Sequence, residues 1–480
     1  MKKILFFLLG PALISSCSKD FIELLPKSNV SVDVVYKTDK DFQDAITASY
    51  NTLQTQYQNF WKFGDLPGED IAEEIPNQAE NVAIDQFNAN SRLAIISNSW
   101  QNYYRMIFRA NTILTKIEAV DAAVVVNKNR HIGEAKFLRA LAYFDLVRIF
   151  GDVPMVTRPI TAEETYKTGR EKADKIYDEV IINDLLDAEA KLPASYSGVD
   201  VGRPTKGAAT ALLGRVYLTR KDFVNAEAKL LKVTTMGYAL LPNYKDLFDY
   251  SKNEHHSEYI FDIEYEEGIN EGSGFPLQFF PFAKVIMDYY GFLSGTPGNS
   301  GSPTETLYNA FDPSDPRRAI TVNYGITLNG TFIPVPTQSV QASKSFTTKY
   351  IAPSAIPSDS KANWKVIRYA DVLLMLAEAM NENGKTSQAL TYLNQVRERA
   401  RVTAYANLSQ SDLREKIYLE RRFELTLEGH RWFDLIRTGR ALATLQKLGM
   451  KPNMTVFPLP LTQVQIINDP AVLPQNPGYN

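Results

Sequence analysis

Glu420, Glu424, Glu428 and Asp434 are the residues of this 480-residue chain best spaced for acid–base chemistry. Two carboxyl groups facing each other across a cleft could hydrolyse a glycosidic bond. These four instead alternate with Arg421, Arg422, Arg431 and Arg437 along one helical stretch. Carboxylates one turn apart beside arginines make ion pairs, and surface ion pairs are expected here rather than a catalytic dyad. The four histidines are spaced no better for zinc: His255 and His256 are adjacent, and His131 and His430 lie far off. Asp312, Asp315, Glu266 and Glu267 could hold a structural calcium, but no EF-hand spacing supports it. The chain has no glycine-rich phosphate loop and no serine in a nucleophile elbow. The pattern therefore predicts a protein that is not an enzyme, with no cofactor and no catalytic metal.

Aromatic residues point to binding. They make up 11% of the chain, and many fall in segments too rich in Gly and Pro to be helix. Sugar rings pack their C–H faces on Trp or Tyr while Asn, Asp and Arg bond the hydroxyls. The stretch YQNFWKFGDLPGEDIAEEIPNQAENVAIDQF has that composition. Trp61 lies just before Gly64 and Pro67, where an indole could project from a loop as a stacking platform. Tyr57 or Phe87 would stand beside it, and Asp65, Asn77 or Asn81 could bond hydroxyls. Tyr289, Tyr290 and Phe292 would close the other side of the cleft. The competing reading is that Trp61 caps the core between the first two helices. Trp100, Trp364 and Trp432 sit in or beside helical motifs and are expected in the core. A net charge of −3 gives no general attraction to nucleic acid.

The elements that must hold these residues are mainly helices. Apolar residues recur at helical spacing over 39–59, 97–119 and 129–150, the last stopping at Gly151 and Pro154. Further helices are expected over 172–192, 206–218, 223–235, 367–383, 386–401 and 411–427. Gly214, Tyr217, Ala226, Leu230 and Val233 recur in spacing as Ala377, Met380, Ala389, Leu393 and Val396. That is a tetratricopeptide-type hairpin, in which small residues let two helices approach closely, although any helical hairpin needs small residues at its crossing. Between these pairs, from about 238 to 364, the chain turns to Gly, Pro, clustered Phe and a short β-like alternation over 260–265. This reads as a loop-rich, partly β insert laid over the helices.

The chain opens MKKILFFLLGPALISSCSKD, with Lys2 and Lys3 followed by an apolar run from Ile4 to Ile14. The run is too short to span a bilayer and has the anatomy of an export signal. Ser15 and Ser16 precede Cys17, the only cysteine, as in a bacterial lipobox whose cysteine carries the lipid. An ordinary signal peptide with an incidental cysteine is the alternative. A single cysteine also rules out an intramolecular disulfide.

The order of several long motifs resembles the SusD/RagB family of nutrient-binding outer-membrane lipoproteins. They are RMIFRANTILTKIEA, GEAKFLRALAYFDLVRIFGDVPMV, NWKVIRYADVLLMLAEAMNENGKTSQALTYLNQVRERA, LEGHRWFDLIRTGR, VFPLPLTQVQIINDP and the final NPGYN. The resemblance covers essentially the whole mature chain. It implies a mostly α, SusD-like fold divided into a signal peptide over 1–16, an N-terminal region with helical repeats over 17–235, the insert over 236–365 and a C-terminal region over 366–480. It implies a lipid anchor at Cys17 and a place on the outer membrane facing the cell surface. It also implies capture of an oligosaccharide for a SusC-like TonB-dependent transporter. A peptide-binding member of the family is the alternative reading, and a secreted glycosidase the more distant one.

Overall fold

The computed structural model describes residues 36–479 apart from 74–77, 253, 293–294, 296, 299 and 337–343. Cys17 and Asn77 lie outside the described residues. Helix α1 (Asp39–Tyr57) starts at a capping box: the Thr38 hydroxyl accepts the Asp41 N–H, and the Asp41 carboxylate accepts the Thr38 N–H at 2.8 Å. Two orphan amides of the first turn are thereby satisfied, which fixes where the helix begins. Its buried face, with Phe42, Ile46 and Leu53, packs on α2 (Ala94–Glu118), and α2 packs on α3 (Lys128–Phe150). Helix α3 stops at Gly151, whose φ of +75° a side chain would strain. The helix expected over 172–192 is interrupted by a π turn at Tyr177–Ile181, after which α4 runs Ile182–Lys191.

Two helical hairpins complete the frame. In the first, α5 (Lys206–Thr219) pairs with α6 (Phe223–Val233). A Cβ on Gly214 would lie 2.6 Å from the Leu230 side chain, so the close crossing requires glycine there. Past the short α7 (Lys284–Tyr290), the second pairs α8 (Tyr369–Glu382) with α9 (Thr386–Arg399) across a turn at Gly384, and α8 also packs on α6. Then come α10 (Gln410–Leu425), α11 (Arg431–Arg437) and α12 (Leu461–Ile467). Among the described residues no helix is long and apolar enough to cross a membrane.

The sheets are small. Among the described residues, four antiparallel two-stranded pairs join β1 (Ile71–Ala72) to β5 (Ser302–Pro303), β2 (Val153–Pro154) to β3 (Arg170–Glu171), β4 (Tyr259–Ile263) to β8 (Trp364–Arg368), and β6 (Gly325–Leu328) to β7 (Thr331–Pro334). The helix expected from Ile367 begins at Tyr369, because 364–368 pairs with the alternating stretch at 259–263 and the backbone turns helical only after it. Most buried apolar residues form one core, including Trp100, Trp364 and Trp432. A smaller cluster under α7 and the β6–β7 hairpin, centred on Phe280, Ile286, Phe292, Ile326 and Phe346, forms a satellite core.

Candidate functional site

The carboxylates of α10 bear first on any chemistry. Their ion pairs form, but deep in the protein rather than on its surface. Glu424, wholly buried, meets Arg317 at 2.9 Å and Arg368 at 2.5 Å and also contacts Arg399. Glu420 meets Arg317 and Arg397; Glu428 meets Arg368 and Lys349; and Glu258 meets Arg368 and Arg399. Burial pushes the Glu424 carboxyl up, and Arg399, Arg368 and Arg317 more than reverse this, holding it well below the usual carboxylate range. The spacing indicated that these carboxylates would be ion-paired, and Asp434 does meet Arg421 and Arg437. The partners of Glu420, Glu424 and Glu428, however, are Arg317, Lys349, Arg368, Arg397 and Arg399 rather than the neighbouring arginines, and their burial was not visible because most of these partners are remote in sequence. A carboxylate so enclosed and so acidic has neither access to a substrate nor a proton to give.

Other ionisable candidates are also occupied, whereas Glu266 and Glu267 are exposed. His255 lies 2.6 Å from Glu264, and burial lowers His256 to about 4. Asp315 is held by Arg317, and Asp312 accepts from Ser314. Among the described residues no group of His, Cys, Asp and Glu could hold a metal ion.

The proposed stacking platform is placed inside the molecule. Trp61 has no exposed surface; its ring meets Phe279 edge-on at 5.2 Å and packs against Gly301. It lies in a short helix, Trp61–Gly64, directly after α1, and Gly64 is pressed so closely on Gly429 that a Cβ would sit 2.4 Å from backbone. That contact clamps the loop to the core and turns the indole inward. Tyr57 is buried too, stacking on Phe60 and donating to Asp145 at 2.7 Å. Asp65 accepts the Gly429 N–H at 2.7 Å, and burial raises its carboxyl to about 7. Asn81 is buried and donates to Glu73 at 2.9 Å, while Phe87 is buried against Trp432. These five residues therefore share an interior, not a cleft wall. Phe292 is likewise inside, in the satellite core.

Tyr289 is different. Helix α7 turns Ile286 inward and Tyr290 half inward, edge-on to Phe280 at 5.6 Å, with burial and the adjacent Tyr289 raising the Tyr290 phenol to about 12. Val285 and Tyr289, four apart and so on one helical face, point outward, with Tyr289 49% exposed. The same satellite core carries exposed Phe282 (72%) and, on β7, Phe332 (58%). Phe332 was missed in the sequence, although the Asn329–Gly330 turn, both residues at positive φ, is the strongest short-range hairpin signal. Exposed rings held on a packed base are the kind of surface that binds ligands.

The fold and these surfaces define a helical binding scaffold whose exposed aromatics sit on an insert. Two family models match the chain: the SusD family over residues 257–479, and a family described as starch-binding associating with outer membrane over residues 20–218. A SusD-like protein of Formosa agariphila, P25, is 29% identical over 539 residues, spanning 97% of this chain and 98% of its own length. A solved laminarin-binding SusD-like protein is 28% identical with a TM-score of 0.78, covering 92% of this chain and all of that one. Surface glycan-binding protein A from Bacteroides thetaiotaomicron, solved with laminarihexaose, shares the fold at 20% identity and a TM-score of 0.78, over 92% of this chain and all of its own. The chain belongs to the SusD family, a family of binding proteins rather than enzymes.

Proposed function

We propose that this protein is a cell-surface lipoprotein, anchored to the outer membrane through Cys17, that captures an oligosaccharide and delivers it to a SusC-like TonB-dependent transporter. The observation that carries the reading is the set of exposed aromatic rings on the insert, Tyr289 on α7 and Phe282 and Phe332 next in sequence to residues of the satellite core. Solvent-exposed rings of this size cost free energy in water unless a ligand covers them, and sugar C–H faces suit them. A relative 28% identical over nearly the whole chain is named for binding laminarin, which supports a glycan over a peptide and makes β-1,3-glucan the first ligand to try.

Calorimetry with laminarihexaose, followed by a glycan library, tests this. Tyr289→Ala should weaken binding by ~1–3 kcal/mol, as truncating a ligand-covered aromatic does, and leave the melting temperature unchanged because the ring is half exposed. Binding of peptides alone, or glycan binding indifferent to Tyr289, Phe282 and Phe332, would overturn it. Cys17→Ala should abolish fatty-acid labelling, and purification from native membrane in mild detergent should recover a large β-barrel partner.

A further inference from the structure

A groove lies away from the insert, along one face of α2. It encloses about 420 Å³ between α2, the segment around β2 and helix α12. Trp100, Tyr104 and Phe108, spaced i, i+4 and i+8, form its apolar floor, with Phe108 55% exposed. Trp100 is pinned edge-on to Phe150 at 5.3 Å, and the Tyr104 hydroxyl donates to the Pro154 carbonyl at 2.8 Å, so the floor is fixed.

The charged residues that line this floor are basic: Arg105, and Arg158, which is paired with Glu164 at 2.5 Å. Arg105 lines the groove and Arg109 follows one turn on; neither has a carboxylate partner among the described residues, and Arg109 instead donates to the Thr52 hydroxyl at 2.7 Å and to the Ala48 carbonyl. The only acidic residue of α2 is Glu118, at its far end. An occupant that is apolar and acidic would meet both needs.

The chain supplies one. The described residues begin at Tyr36, whose ring packs on Phe42 and whose hydroxyl feels the charges of Arg109 and Lys116, so the N-terminal segment enters the fold beside α2. Residues 20–25 upstream read Asp-Phe-Ile-Glu-Leu-Leu, four apolar side chains with two acids and no base, followed by Pro26. Ten residues lie between Leu25 and Tyr36, and the eleven steps have an extended reach of up to about 36 Å. From Arg109 back to Trp100 is only ~14 Å along the helix. We propose that the segment Asp20–Leu25 docks in this groove, its apolar side chains over Trp100, Tyr104 and Phe108 and its acids toward Arg105 and Arg109. The inference does not rest on the glycan or transporter readings. With lipid on Cys17, four positions before Phe21, it would also turn the α2–α12 face toward the membrane.

The mature chain with Cys17→Ser has no other cysteine, so pairs of introduced cysteines report proximity directly. Leu24→Cys combined with Phe108→Cys should close a disulfide in a glutathione buffer at least ten times faster than Leu24→Cys combined with Val199→Cys, a position 96% exposed elsewhere. Adding Phe21→Asp and Ile22→Asp should remove the difference, and so should 1 M salt in part, since the arginines are at the rim. Circular dichroism checks that each variant is folded, which the exposure of Phe108 and Val199 favours. Equal rates for the two pairs overturn the proposal. So does a Phe108→Asp variant that loses laminarihexaose affinity or the co-purifying barrel while the rates stay equal, because the groove would then belong to the ligand or the transporter.

Discussion

Replacing Glu424 by Gln isolates the buried charge network from any change of shape. The wild-type carboxylate, wholly buried, faces Arg317, Arg368 and Arg399. Around it, Arg317, Lys349, Arg368, Arg397 and Arg399 are balanced by Glu258, Asp315, Glu420, Glu424 and Glu428, five cations to five carboxylates. At an effective dielectric constant near 20, each unit-charge contact at about 4 Å between charge centres contributes ~4 kcal/mol, so three contacts give ~12 kcal/mol. Desolvating the carboxylate takes back several kcal/mol, as does the weaker bonding an amide retains, and breaking one member of a buried network typically leaves a net loss of 3–5 kcal/mol. That is a large part of the ~5–15 kcal/mol by which a domain is stable. Urea unfolding should show the midpoint falling with the slope unchanged. Adding Arg399→Met should restore part of the loss by removing an unpaired cation, so the two substitutions should not add. As a control, Asp44→Asn, in an exposed pair with Lys40, should change stability by under ~0.5 kcal/mol. A Glu424→Gln loss below ~1 kcal/mol, or strict additivity with Arg399→Met, would refute the reasoning.

Two further outcomes follow from burial. Trp61→Ala should lower stability by about 3–5 kcal/mol through the cavity left beside Phe279 and Gly301; an unchanged melting temperature with lost glycan affinity would restore Trp61 as a platform. Asp65 keeps its proton in the folded state to about pH 7, whereas the unfolded group releases it near 3.8, so its stabilising contribution is fully present below pH 4 and is lost as pH rises to 7. Three pH units correspond to ~4 kcal/mol. Asp65→Asn should therefore match wild type near pH 4 and exceed it in urea resistance at pH 8; a difference that is constant with pH would be the contrary result.

The sequence by itself determined what depends on neighbours along the chain. Helical periodicity and the Gly151 stop gave the main helices, and the recurring small residues gave the hairpins of α5–α6 and α8–α9. Ordered motifs gave the family. The tertiary structure alone decided which side of a residue meets water. Trp61 looked outward-facing because Gly64 and Pro67 follow it, yet Gly64 closes on Gly429, 365 positions away, and carries the indole into the core. Glu424 looked like a surface ion-pairing residue because arginines adjoin it, yet its partners at 317, 368 and 399 come from three other segments and bury it. Tyr289 and Phe332 face solvent for the same reason in reverse: the satellite core takes the neighbouring side chains of the same elements, Ile286 and Ile333, and leaves these rings outside. Periodicity fixes which residues share a face, but only long-range packing fixes what that face meets.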